Sequence, residues 1–333
     1  MVSLLVQTSF IGDAILTTPL VAELAARGPV DVLVTPSGAA VLQGNPHVRR
    51  LIVYDKRGKD KGPAGLLRIA RSARSSGHDA TAYLAQGSLR SALLARLAGY
   101  KQRVGFDTSA GRLLYTRLIP LQREQHHAER LLRLALGADA EVPRRALRPR
   151  VYPSDADRDA VDRLLGTVHN EGRSLIALAP GSVWATKRWP YYAELAAALQ
   201  ATHRSIVVGS RDDAPLTAEI VRATGGDAID AAGRLTLLGS AELIGRCRAI
   251  VTNDSAPLHL ASAMNTPTVA IFGPTVPAFG FGPLAETSTI AEHMTLACRP
   301  CHPHGPMVCP LGHWRCMRDL SLETVLARVT ALT

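Results

Sequence analysis

The feature that most constrains this chain is an alternation that runs along it twice. Short apolar runs at residues 4–6, 30–35, 51–54, 81–84 and 102–106 are separated by stretches of helical periodicity at 14–26, 64–74 and 89–97. Such succession implies right-handed strand–helix–strand units on a parallel sheet. A turn is expected at Pro36, Ser37 and Gly38. The pattern breaks at 142–155, VPRRALRPRVYPSD, where three prolines and four arginines leave no apolar period. It then restarts, with strands expected at 175–179, 205–208, 249–252 and 269–272. Helices are expected at 191–200, 216–223, 238–246 and 258–263, and an amphipathic helix at 322–332.

The expected fold is therefore α/β, with two tandem Rossmann-like lobes, each on a parallel sheet. The first spans residues 1–150 and the second 151–318, with a C-terminal helix at 319–333 expected to pack back toward the first lobe. A length of 333 residues suits two cores better than one. Open parallel sheets hold ligands beyond the carboxyl ends of their strands, so two facing lobes imply an active site in the cleft between them.

Charge narrows the partners. The formal net charge is +10, which favours anionic ligands, phosphorylated sugars or an acidic membrane surface. Nucleic acid is the alternative, but the basic residues are scattered and lack the interleaved aromatics that stack bases, so none is expected. MVSLLVQTSF, at the N-terminus, has no basic leader and no small-residue cleavage site and reads as a buried strand. No apolar stretch approaches the roughly 20 residues needed to span a bilayer. A cytoplasmic protein, peripheral at the inner membrane, is the expectation.

Three segments carry candidate chemistry. The first strand runs into TSFIGD, where Gly12 suits a tight turn and Asp13 sits at or near a helix N-cap. Aspartate there satisfies orphan amides, or it points outward as a general base. The second lobe opens with LAPGSVWATKRWP, in which Gly181, Ser182, Thr186 and Lys187 could cradle a pyrophosphate. A solvated Lys-Arg pair is the plainer alternative. The third is TNDSAPLH, where Asn253 and Asp254 suit ribose hydroxyls, and Ser255 and Ala256 open a helix that favours phosphate. There, capping is the alternative for Asp254 and Ser255, and core packing for His259.

In combination, Ile11-Gly12-Asp13-x3-Thr17-x-Pro19, Thr186-Lys187-Arg188-Trp189-Pro190 and Thr252-Asn253-Asp254-Ser255-x2-Leu258-His259 resemble the ADP-heptose–lipopolysaccharide heptosyltransferases, glycosyltransferase family 9. SLRSA (88–92), RVGF (103–106) and HAER (127–130) are similar to that family too. The resemblance implies GT-B architecture and metal-independent, inverting transfer of heptose from ADP-heptose to the heptosyl-Kdo-lipid A inner core. Its wording is closest to the heptosyltransferase II type. It implies Asp13 as catalytic base and Lys187 as the lysine on the donor phosphates. Ser9 and Gly12 would line the catalytic loop, with Asp254, Ser255 and the helix start as the donor turn and His259 close by. Another donor on the same fold, in a different glycosyltransferase or an epimerase, is the alternative.

The acceptor is expected on the first lobe, where Arg90 and Arg103 lie at element ends and suit an acidic saccharide. Residues 56–61 are equally well read as a solvated basic loop. Four of the five cysteines, Cys298, Cys301, Cys309 and Cys316, crowd into one segment. They are a candidate structural zinc set, with free or redox-linked thiols ordering a loop as the alternative.

Overall fold

The computed structural model describes residues 2–74, 80–166 and 172–333. The chain divides into two compact units, Met1–Tyr152 and Pro153–Thr333. Each contains one six-stranded sheet whose pairings are all parallel. The first has β1 (Ser3–Gln7), β2 (Val30–Val34), β3 (Arg50–Val53), β4 (Thr81–Leu84), β5 (Gln102–Phe106) and β6 (Arg117–Ile119), in the order β3-β2-β1-β4-β5-β6. The second has β7 (Ser174–Ala179), β8 (His203–Val207), β9 (Ile229–Asp230), β10 (Ala249–Asn253), β11 (Thr268–Phe272) and β12 (Ser288–Glu292), in the order β12-β11-β10-β7-β8-β9.

Counted from its own first strand, each unit has the doubly wound order 3-2-1-4-5-6. The order reverses between β1 and β4 in one unit and between β7 and β10 in the other. At such a point successive connections leave to opposite faces and open a crevice at the carboxyl ends.

Composition explains the sheets. β1, SLLVQ, and β2, VDVLV, bury every residue. Leu4 and Val6 join Leu33, Ile52 and Leu84 in one cluster, while Leu5 and Val32 are equally buried on the opposite face. A strand dry on both sides requires helices on both sides. Each such Leu or Val stabilises the fold by about 1.5–3 kcal/mol.

Several elements differ from the sequence reading for local reasons. The expected helix at 14–26 is two helices, Ile11–Leu16 and Thr18–Ala25. Between them the Thr17 hydroxyl donates to the Asp13 carbonyl at 2.6 Å and accepts from Gln7 at 3.0 Å. Pro36 does not begin a turn. It sits in the first turn of the helix Pro36–Leu42, capped by Thr35, which accepts from the Gly38 N–H. The basic segment at 142–155 is more tied down than a linker: Leu147 and Val151 are buried, and the Arg150 N–H donates to Thr18. The boundary falls after Tyr152 rather than at 150.

The C-terminal helix Leu322–Thr330 belongs to the second unit, contrary to its expected return toward the first lobe. Its apolar stripe explains this: Val325 and Val329 are fully buried in the cluster with Trp189, Leu195 and Ile271.

Candidate active site

At the carboxyl end of β1 the chain passes through Thr8, Ser9 and Phe10 into the short helix Ile11–Leu16. Asp13 is the third residue of that helix, not its N-cap. Its Oδ2 accepts from the Ser9 hydroxyl at 2.6 Å and from the Phe10 N–H at 3.3 Å. Gly12 lies within the helix, where no positive φ demands glycine, so the turn is made by Ser9 and Phe10. The Asp13 side chain keeps 16% exposure. Two donors fix one carboxylate oxygen, and the group still reaches solvent.

Sequence reasoning missed His127, which begins the helix His127–Leu136. Its Nε2 stands 3.4 Å from Oδ1 of Asp13. Burial holds its pKa below the ordinary 6.5, and Arg130 adds to that, while the Asp13 charge opposes it. The HAER segment was the only signal for it in the sequence.

Lys56 is not part of a solvated loop. Its Nζ donates to the Thr8 carbonyl at 2.6 Å, bracing the turn that carries Asp13. Arg90, at the start of the helix Leu89–Leu97, is exposed and lines a cavity with Lys56 and Thr8. Arg103 is a different case. Its Nε and Nη1 donate to the carbonyls of Leu114, Tyr100 and Lys101, a structural clamp beside the starts of β5 and β6 that the sequence reading of an acceptor contact did not include.

In the second unit the turn after β7 and the turn after β10 meet. Nζ of Lys187 lies 2.5 Å from Oδ2 of Asp254, and the Thr275 hydroxyl donates to the same oxygen at 2.7 Å. Both charged side chains are nearly buried, at 9% and 11% exposure. Beside them the helix Ala256–Met264 opens at Ser255 with no side-chain cap. Pro257 has no N–H and the Leu258 N–H donates to the Ser255 carbonyl, so the Ala256 N–H and the helix dipole are what this end offers an anion.

Gly181 serves packing: a Cβ there would fall 2.3 Å from the Asp213 carboxylate, which ties up the turn after β8 by accepting from Ser210. Ser182 accepts from the Trp184 N–H, and its carbonyl takes both bonds from Arg188, so Arg188 is structural.

Two expected donor contacts are corrected. Asn253 is fully buried; its amide donates to Pro180 at 2.8 Å and accepts from the Trp189 N–H and the Tyr192 hydroxyl. Its polar atoms serve the β7–β10 junction rather than a ribose. His259 is 4% exposed, with its ring against Phe281, which is the core-packing alternative.

The cysteine segment crosses this second site. The Cys301 N–H donates to the Pro274 carbonyl, and Arg299 donates to the carbonyls of Phe272, Gly273 and Thr275. The Thr186 hydroxyl donates to the Pro306 carbonyl. Gly305 has φ +81°, and a Cβ there would stand 3.2 Å from Lys187. Trp184 stacks on His304. All four cysteines are free thiols. Burial pushes Cys316 up to about 11, with further upward push from negative charge on the other three. Among the described residues no three His, Cys, Asp or Glu side chains are grouped to hold a metal ion.

Comparison with known proteins identifies the family and the fold. Residues 66–314 match the family model for glycosyltransferase family 9 (heptosyltransferase). Lipopolysaccharide heptosyltransferase 2 of Escherichia coli (strain K12) is 28% identical over 310 residues, covering 88% of each chain. Lipopolysaccharide heptosyltransferase 1 of Pseudomonas aeruginosa is 29% identical over 316 residues, 90% of this chain and 85% of that one. The solved structure of E. coli ADP-heptose lipopolysaccharide heptosyltransferase II superposes with a TM-score of 0.80 at 26% identity, covering 100% of this chain and 98% of that one. With the match extending over most of its length, the chain is a member of glycosyltransferase family 9, the heptosyltransferase family, and so a glycosyltransferase.

Proposed function

We propose that the protein transfers heptose from ADP-heptose to the heptosyl-Kdo-lipid A inner core of lipopolysaccharide, with inversion and without a required metal. The observation that carries the reading is Asp13, a carboxylate fixed by two donors, flanked by His127 and still open to solvent at a sheet's switch point. Asp13 takes the proton from an acceptor hydroxyl as that oxygen attacks the anomeric carbon. The anomeric bond to the diphosphate breaks, and ADP leaves. Lys187 and the positive end of the helix Ala256–Met264 receive the charge that develops on the leaving diphosphate. The Asp254 contact holds the lysine in place until a phosphate competes for it.

Family membership and the heptosyltransferase relatives support the heptose donor. Relatives of types 1 and 2 stand at 29% and 28% identity, so the inner core as a whole, not one heptose position, is the proposed acceptor. Among the described residues no helix is long and apolar enough to cross a membrane. A cytoplasmic protein with net charge +10, touching the anionic inner face of the membrane, fits a lipid-linked acceptor.

The test is a donor screen with ADP-heptose, UDP-sugars and GDP-sugars against purified inner-core acceptor, with product configuration read by NMR. Transfer from ADP-heptose with inverted configuration is expected. Faster transfer from a uridine or guanosine donor, or retained configuration, overturns the reading.

A further inference from the structure

The helix Leu89–Leu97 has two apolar sides. Ser91, Ala92, Leu94 and Ala95 are buried and seat it on the first sheet. On the opposite side Leu89, Leu93 and Leu97 recur every four residues, so they share one face, and all three are exposed. One apolar stripe is enough to hold a helix on its sheet; the second is left to solvent. The short turn Arg112–Leu114 adjoins this helix. Just before it, the Gly111 N–H donates to the Gly87 carbonyl, and a Cβ at Gly111 would fall 2.6 Å from the side chain of Ala92. That turn holds Leu113 out at 89% exposure. Single exposed leucines are ordinary, but four on adjoining elements mark an interaction surface.

Charge decides what the surface fits. Residues 80–123 carry seven Lys or Arg against one acid, Asp107. Arg90 and Arg96 are interleaved with the leucines on the helix, Lys101 follows it and Arg112 precedes Leu113; all four cations are exposed. Two copies of such a face repel each other. An anionic lipid surface satisfies both of its components, with leucines entering among the acyl chains and cations meeting headgroup phosphates.

We propose that this face docks the protein on an anionic phospholipid bilayer, with Leu89, Leu93, Leu97 and Leu113 as the residues that insert. The inference rests on the lipid-linked acceptor of the reading above. The docked helix is tied to the base: the hydroxyls of Thr8 and Ser91 both donate to Oε1 of Gln86, and Thr8 directly precedes Ser9, which holds Asp13. Docking therefore brings the Asp13 turn to the surface from which a lipid-linked saccharide projects, and raises the acceptor concentration that the turn meets.

Two measurements on the full chain test it. The first is co-sedimentation with vesicles of mixed phosphatidylglycerol and phosphatidylethanolamine, and with vesicles of phosphatidylcholine, in the absence of donor and acceptor. Wild type should bind the anionic vesicles at least about tenfold more tightly than the neutral ones, and should release them as salt rises. Leu89→Ser/Leu113→Ser should weaken binding to anionic vesicles by about tenfold. Arg96→Gln/Arg112→Gln should weaken it too and flatten its dependence on salt. All four positions are exposed, so unfolding midpoints should stay at the wild-type value. Equal binding by wild type and both variants overturns the proposal, as does equal binding to the two kinds of vesicle. A wild type that leaves vesicles unbound and dimerises, with the leucine variant monomeric, overturns it as well and makes the face a self-contact.

The second is transfer to the acceptor embedded in anionic vesicles and to its delipidated saccharide. Leu89→Ser/Leu113→Ser should raise the KM for the embedded acceptor by about tenfold, with the donor KM and the KM for the free saccharide unchanged. Equal losses on both acceptors refute docking as the cause. Failure of heptose transfer by wild type sinks the transfer reading alone, because vesicle binding is measured without substrates.

Discussion

Nε2 of His127 stands 3.4 Å from Oδ1 of Asp13, on a carboxylate whose other oxygen is already held by Ser9 and Phe10. The two residues are 114 positions apart in sequence. The His127 side chain keeps 17% exposure while its Nε2 is buried against the carboxylate, and it holds that carboxylate's orientation without neutralising it, provided the ring stays uncharged. Burial favours the uncharged ring here.

That arrangement makes Asp13→Asn the cleanest test of the base. Asparagine retains an oxygen to accept from the Phe10 N–H, so the helix start survives. It cannot take a proton. Turnover should fall by about 10²–10⁴-fold while the donor KM stays within a few-fold and the circular dichroism spectrum is unchanged. Normal kcat in this variant removes Asp13 from the mechanism.

His127 has a signature in stability against pH. Its pKa in the folded protein lies below the ordinary 6.5. Above pH 6.5 the ring is neutral in both states and contributes no slope. Below it the unfolded chain takes up a proton that the fold resists, so stability falls with pH, by at most about 1.4 kcal/mol per unit for this group. His127→Gln should flatten the unfolding curve between pH 6.5 and 5 relative to wild type. Parallel curves for the two proteins would place the imidazole outside the buried pair.

Lys187 and Asp254 separate stability from donor binding. Lys187→Met strands a nearly buried carboxylate and should destabilise the second unit by about 3 kcal/mol. Adding Asp254→Asn should restore much of that loss in denaturant unfolding. The donor KM should rise at least tenfold in both, because the phosphate charge partner is missing either way. Recovery of donor binding along with stability would make the lysine purely structural.

How much of this was legible follows from what each element depends on. β4, β5 and the helix Leu89–Leu97 were read to the residue because their apolar period and cap are local. β6 and β9, of three and two residues, carry too little pattern to detect. β12, STIAE, has no apolar run and depends on pairing with β11. Asp13 and Lys187 stood out as charged residues following strand ends. Asn253 and Arg103 looked like ligands because their type is polar, but what they do is set by distant carbonyls that no spacing reveals. His127 gains its meaning only from a neighbour far away in sequence.

Arg103 tests that distinction. Its guanidinium donates to three carbonyls across the Tyr100–Leu114 segment, and burial pulls its pKa down, with Arg96 adding to that. Removing it leaves those carbonyls short of donors beside the starts of β5 and β6. Arg103→Ala should therefore lower stability by about 1.5–3 kcal/mol, read as a drop in the denaturant midpoint. Under conditions where the variant stays folded, its acceptor KM should match wild type. An acceptor KM that rises tenfold with the unfolding midpoint unmoved would return Arg103 to the acceptor site.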